Sequence, residues 1–169
     1  MKKKLFKIIP FVSIAVVVLA FGFLFIPKSF VTFESNFALF GASGFEIFFY
    51  LHEYLKLQEI QTSVMPAGIV TVSLMILAIA ANVFANKQSV LKLLGGILTA
   101  SVGLMLLSMQ LWMWIQYGGH NPIVLWAPYV TGAFTLVAGG LTIWAAIEWL
   151  IEEKNTPVTG NKSYSYLKK

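Results

Sequence analysis

The chain contains no cysteine, no arginine and no aspartate. Without a thiol there is no disulfide, no thiolate metal ligand, no cysteine nucleophile and no site for lipoprotein attachment or S-palmitoylation. The restriction of charge to lysine and glutamate is a compositional bias that carries no functional weight. A more telling scarcity is one of place. Between Lys92 and Glu148, 55 consecutive residues include no charged side chain, and shorter uncharged runs cover residues 8–27 and 62–86. A bilayer's hydrocarbon core of ~30 Å takes ~20 helical residues, so the longest run holds two crossings and an uncharged turn. With 169 residues, 58% of them hydrophobic and 11% charged, and a mean hydropathy of +0.79, no room is left for a soluble catalytic domain beside such spans.

What is present fits an all-α integral membrane protein, a bundle of four transmembrane helices at about residues 5–26, 64–85, 90–114 and 128–150. They form one membrane domain over residues 1–152, and residues 153–169 form a polar cytoplasmic tail. Pro10 is tolerated early in the first helix and Pro27 closes it, whereas Pro66 opens the second. The cluster of Tyr117, Gly118, Gly119, His120, Asn121 and Pro122 ends the third. Ten lysines (2, 3, 4, 7, 87, 92, 154, 162, 168 and 169) fall on one side of this topology and two, Lys28 and Lys56, on the other. The bias puts both termini in the cytoplasm and makes the protein a multi-pass component of the cell membrane. It also accounts for the net charge of +5 without a nucleic-acid partner. The first apolar run resembles a signal peptide, but its 19 residues from Ile8 to Ile26 favour retention as a span. Trp112, Trp114, Trp126 and Tyr129 on the outside, with Trp144 and Trp149 on the inside, read as interface anchors.

The outer segment, residues 27–63, is longer than two neighbouring helices need and should be structured. Val31, Phe33, Phe37 and Leu39 alternate with polar or small residues, the period of a short strand, and Gly41 to Gly44 supplies a turn. A lone strand leaves its backbone unpaired, so this one needs a partner from the second outer loop or from another molecule. From Phe45 to Ile60 the period changes to that of an interfacial helix, with Glu46, His52, Glu53, Lys56 and Glu59 on one arc.

Few residues suggest chemistry. His52-Glu53 lacks the second histidine of a zinc-protease motif, since Lys56 stands in its place. Met105, Met109 and Met113 recur every four residues on the third span, with Gln116 nearby. Thioethers suit soft metal ions, so this face is a candidate pathway, although methionine is also an ordinary filler of apolar cores. Gly95, Gly96, Ala100 and Gly103 on the third span, Ala78 and Ala81 on the second, and Gly132, Gly139, Gly140 and Ala145 on the fourth allow close helix approach, with a partner helix in the same chain or in a neighbouring protomer. Asn82 and Gln110 are polar groups within spans and should fasten helices. No charged group lies at depth in any span, and no phosphate-binding loop or nucleophile elbow is present.

The topology is similar to that of claudin-type and other tetraspan proteins, without their cysteines or loop signature, and a likeness of topology transfers no function. The sequence therefore points to a non-enzymatic structural or accessory subunit, with no cofactor. Beyond the lipid bilayer, its partner would be another membrane protein or a second copy of itself. It would bind through Phe33, Phe37, Phe48 and Tyr54 and through its small-residue helix faces. The rival is a small oligomeric transporter or channel using Met105, Met109, Met113 and Gln116.

Overall fold

The computed structural model describes residues 2–35, 38–51, 64–85, 88–117 and 122–155. In chain order the elements are α1 (Lys2–Phe23), β1 (Val31–Ser35), β2 (Ala38–Ala42), α2 (Gly44–Phe48), α3 (Pro66–Phe84), α4 (Ser89–Leu107), α5 (Met109–Tyr117), β3 (Pro122–Val124) and α6 (Trp126–Asn155). The protein is mostly helical. Three stretches are long and apolar enough to cross a membrane: Pro66–Phe84, Val90–Leu107 and Trp126–Glu152. The apolar part of α1, Lys7–Phe23, is shorter. All three stretches, and α1 with them, turn large apolar side chains outward, among them Phe11, Leu19, Ile76, Leu104, Phe134 and Val137. A surface of that kind suits lipid rather than water.

The helices close a ring in which α1 packs on α3 and α6, and α4 packs on α3 and α6. The α4–α6 contact is the most extensive. Small residues make it: a Cβ on Gly103 would stand 2.6 Å from the Leu136 backbone nitrogen and 2.7 Å from the Gly132 carbonyl oxygen. Gly139 lies equally close to the backbone of Ala100. Helices that touch along their backbones gain dispersion contacts that larger side chains would prevent.

The third span expected at residues 90–114 is two helices. At Ser108 the backbone leaves helical geometry (φ −83, ψ 8). The Ser108 hydroxyl turns back onto the Met105 carbonyl at 3.1 Å and accepts the Trp112 indole N–H at 3.0 Å. Competition between a serine hydroxyl and the helical ladder is a recognised cause of such a break.

A three-stranded antiparallel sheet of order β2-β1-β3 joins the helices at the end where α1 stops, α3 starts, α5 stops and α6 starts. Val31, Thr32, Phe33, Glu34 and Ser35 face Ala42, Gly41, Phe40, Leu39 and Ala38 in turn. On its other side, Val31, Thr32 and Phe33 face Val124, Ile123 and Pro122. The single strand expected from residue 31 to residue 39 is thus two antiparallel strands, β1 ending at Ser35 and β2 starting at Ala38, and Gly41 and Ala42, expected in a turn, end β2. The third strand comes from the connection between α5 and α6.

Ser43 starts α2 through a capping box: its hydroxyl accepts the Glu46 N–H at 3.3 Å, and Glu46 Oε2 accepts the Ser43 N–H at 2.8 Å. The helix expected from Phe45 to Ile60 does not run on. It ends at Phe48, with Tyr50 in the left-handed region (φ 58) and the Leu51 N–H donating to the Glu46 carbonyl at 2.9 Å. That six-to-one closure is a Schellman stop with tyrosine where glycine is usual. Residues 52–60 of the expected helix lie outside the described residues.

One apolar core runs from the sheet into the helices and includes Leu24, Phe30, Phe33, Ile47, Phe48, Met65, Met75, Leu106, Met109 and Met113.

Candidate functional site

Of the four aromatic residues expected to meet a partner, Phe33 and Phe48 are buried. Phe33 packs edge-to-face on Tyr117 at 5.7 Å and Phe48 on Phe30 at 5.6 Å, so both dock the sheet and α2 onto the helices. Phe37 and Tyr54 lie outside the described residues.

The methionine face divides at the Ser108 break. Met109 and Met113 are buried in the core, as are Met65 and Met75, whereas Met105 is half-buried and faces outward. With Leu74, Ser101, Leu104 and Ser108, Met105 lines an open groove of about 460 Å³. Gln116 is half-exposed on α5. The four therefore do not share one surface. Among the described residues no three of His, Asp or Glu converge as metal ligands, and His52 and His120 lie outside them. A second groove, about 310 Å³ and almost wholly apolar, lies between α1 and α6 against Leu19, Phe23 and Phe134.

The polar interior is organised by element. Ser13 on α1 donates to the Ala138 carbonyl at 3.1 Å and shares a hydrogen bond with Thr142 at 2.6 Å, tying α1 to α6. Asn82 on α3 donates from Nδ2 to the Gly95 carbonyl at 3.3 Å and to Thr99 Oγ1 at 3.1 Å, tying α3 to α4. Thr71, Thr131 and Thr135 return their hydroxyls to the carbonyl four residues back. Lys92, near the opposite end of α4 from the sheet, is buried with its ammonium 4.3 Å from the centre of the Trp149 ring, a cation–π contact joining α4 to α6.

Gln110 fastens a strand rather than a helix. Its Nε2 donates to the Pro122 carbonyl at 3.0 Å and its Oε1 accepts the Val124 N–H at 3.0 Å. One side-chain amide thus copies the pairing of a neighbouring strand along the outer edge of β3. Sequence reasoning placed Gln110 among the fasteners but could not name its target, which is twelve and fourteen residues away in a segment of three residues. Lys28 occupies the space beside Gly41 of β2, its Cβ 2.8 Å from where a glycine Cβ would stand. Lys28 itself has a positive φ of 53. Tyr117 is buried at the end of α5, and among the described residues nothing hydrogen-bonds its hydroxyl. Burial pushes its phenol pKa up, so it stays neutral.

This arrangement holds helices and strands together, with open grooves beside Met105 and between α1 and α6. It brings no acid, base and nucleophile into one cleft among the described residues. No model of a known protein family matches the chain, and no curated protein matches it.

Proposed function

We propose that the protein is a non-enzymatic structural or accessory subunit of the cell membrane, crossing it four times with both termini in the cytoplasm. The observation that carries this reading is the use made of the polar side chains within the bundle: buried Ser13, Asn82, Thr99 and Thr142 and half-buried Gln110 each hydrogen-bond another element of the same chain. A transport path or an intramembrane active site would instead turn such groups toward a shared cavity. For the fourth crossing, α1 has 22 residues, about 33 Å at 1.5 Å per residue, and packs within the helical ring on α6 and α3. For the orientation, the lysine bias puts the sheet on the outer face and the end of α3 and the start of α4 on the inner one. The four-helix bundle is then the anchor and the sheet is the part offered to a partner.

Gentle-detergent purification from native membranes, with the size of the species and its companions identified by mass spectrometry, tests the reading. A stoichiometric membrane-protein companion or a defined homo-oligomer is expected. A monomer without companions would overturn it.

The groove beside Met105, Ser101 and Ser108 favours the second reading, a small oligomeric transporter or channel for a soft metal ion. On that reading Met105→Leu abolishes flux in proteoliposomes loaded with Cu(I) at unchanged protein level. On the accessory reading it changes nothing measurable there.

A further inference from the structure

The two edges of the sheet are treated differently. Gln110 occupies the Val124 N–H and the Pro122 carbonyl on the outer edge of β3, so Ile123 is the residue of β3 that pairs with β1, opposite Thr32. Backbone groups alternate in direction along a strand. Val31, Phe33 and Ser35 of β1 therefore turn toward β2, and Ala42, Phe40 and Ala38 answer them. The bond from the Leu125 N–H to the Phe30 carbonyl at 2.8 Å agrees with that phase, since it turns the Phe30 carbonyl, one residue before Val31, toward the β3 side. Leu39 and Gly41 are left with N–H and C=O on the far edge of β2, which is the edge of the sheet. No described residue pairs with them there.

Natural edge strands are blunted by charge, proline or a bulge. β2, Ala-Leu-Phe-Gly-Ala, has neither charge nor proline, and its register with β1 runs unbroken for all five residues. Its outward groups are also symmetric about Phe40. An identical strand laid antiparallel, Leu39 against Gly41 and Gly41 against Leu39, satisfies all four groups of each copy and brings Phe40 opposite Phe40 in a non-hydrogen-bonded pair.

We propose that two copies of the chain join through their β2 edges in this register, forming one six-stranded sheet with a two-fold axis at Phe40. The proposal deepens the accessory reading and rests on it, naming a second copy as the partner. A two-fold between antiparallel strands stands perpendicular to their sheet. Because the buried face of this sheet, with Val31 and Phe33, rests on the helix ends, the axis runs toward the helices and keeps both copies the same way up in a bilayer.

The absence of cysteine makes the test clean. In a non-hydrogen-bonded antiparallel pair the Cα atoms are about 4.5 Å apart, within reach of a disulfide. Phe40→Cys protein in native membranes, oxidised with copper-phenanthroline, should become a covalent dimer. Thr32→Cys, two strands from the axis, should not. Leu39→Pro removes one outward N–H and leaves the β1–β2 ladder intact, so adding it to Phe40→Cys should lower cross-linking to the Thr32→Cys level. Leu39→Ala, which keeps the N–H, should leave cross-linking high. Phe40→Cys cross-linking no better than Thr32→Cys, or as well with Leu39→Pro as without it, overturns the proposal. If Phe40→Cys is silent while the purified wild type carries a different membrane protein, the β2 dimer fails and the accessory reading stands. If it is silent and the wild type is a lone monomer, both fail.

Discussion

Asn82 and Gly95 act as a pair. The Asn82 amide spends its N–H groups on Ala78, Gly95 and Thr99, and its buried Oδ1 has no N–H or O–H donor among the described residues. That oxygen lies so near Gly95 that a Cβ there would come within 2.7 Å. Gly95→Ala should therefore displace the amide and cost about 1–3 kcal/mol, as overpacking of a close-packed interior does, read as a lower unfolding midpoint in detergent. Tyr117 gives the opposite case. Phenylalanine keeps the ring against Phe33 and removes a buried hydroxyl that has no partner among the described residues, so Tyr117→Phe should change stability by less than about 1 kcal/mol, or raise it. The pH dependence has a definite sign. The folded phenol pKa is raised, so the contribution of Tyr117 is complete below the ordinary value near 10 and is lost as pH rises beyond it, because the unfolded chain ionises first. Wild type should lose more stability than Tyr117→Phe between neutral pH and the alkaline range above 10, measured on both proteins in the same titration.

Among elements, the helices were legible because lipid demands long uncharged runs, and α3, α4 and α6 follow them closely. The two strands β1 and β2 look like one in the sequence because no glycine or proline stands between Val31 and Leu39 to announce a change of direction. The start of α2 carried a readable signal in the Ser43–Glu46 spacing, a capping box hidden inside what looked like a glycine turn. Its stop was unreadable, because Tyr50 takes a conformation that sequence assigns to glycine or asparagine. The aromatic contact residues were misplaced for a related reason. Phe33 and Phe48 look available only until a sheet is laid over the helix ends, and hydrophobicity alone does not tell a docked face from an offered one. The clasp on β3 is testable at this scale. Gln110→Leu removes both of its bonds and leaves the Val124 N–H and the Pro122 carbonyl without partners, so a loss of about 1–3 kcal/mol is expected. Hydrogen exchange at Val124 should accelerate, while exchange in α3 and α6 should not.

The molecule as a whole presents apolar side chains around its helices and ties its connections into a sheet at one end. A topology with both termini inside predicts which cysteine variants an impermeant maleimide reaches in intact cells. Thr32→Cys should label before lysis, and Lys154→Cys only after it; the reverse pattern would invert the protein in the bilayer. One feature of the third span then acquires a mechanical meaning. The break at Ser108 separates α5 from α4, and the Gln110 amide bolts α5 to β3 and so to the sheet. Any change of helix direction at Ser108 would therefore carry β3 along with α5 and shift the β2 edge on the far side of the sheet.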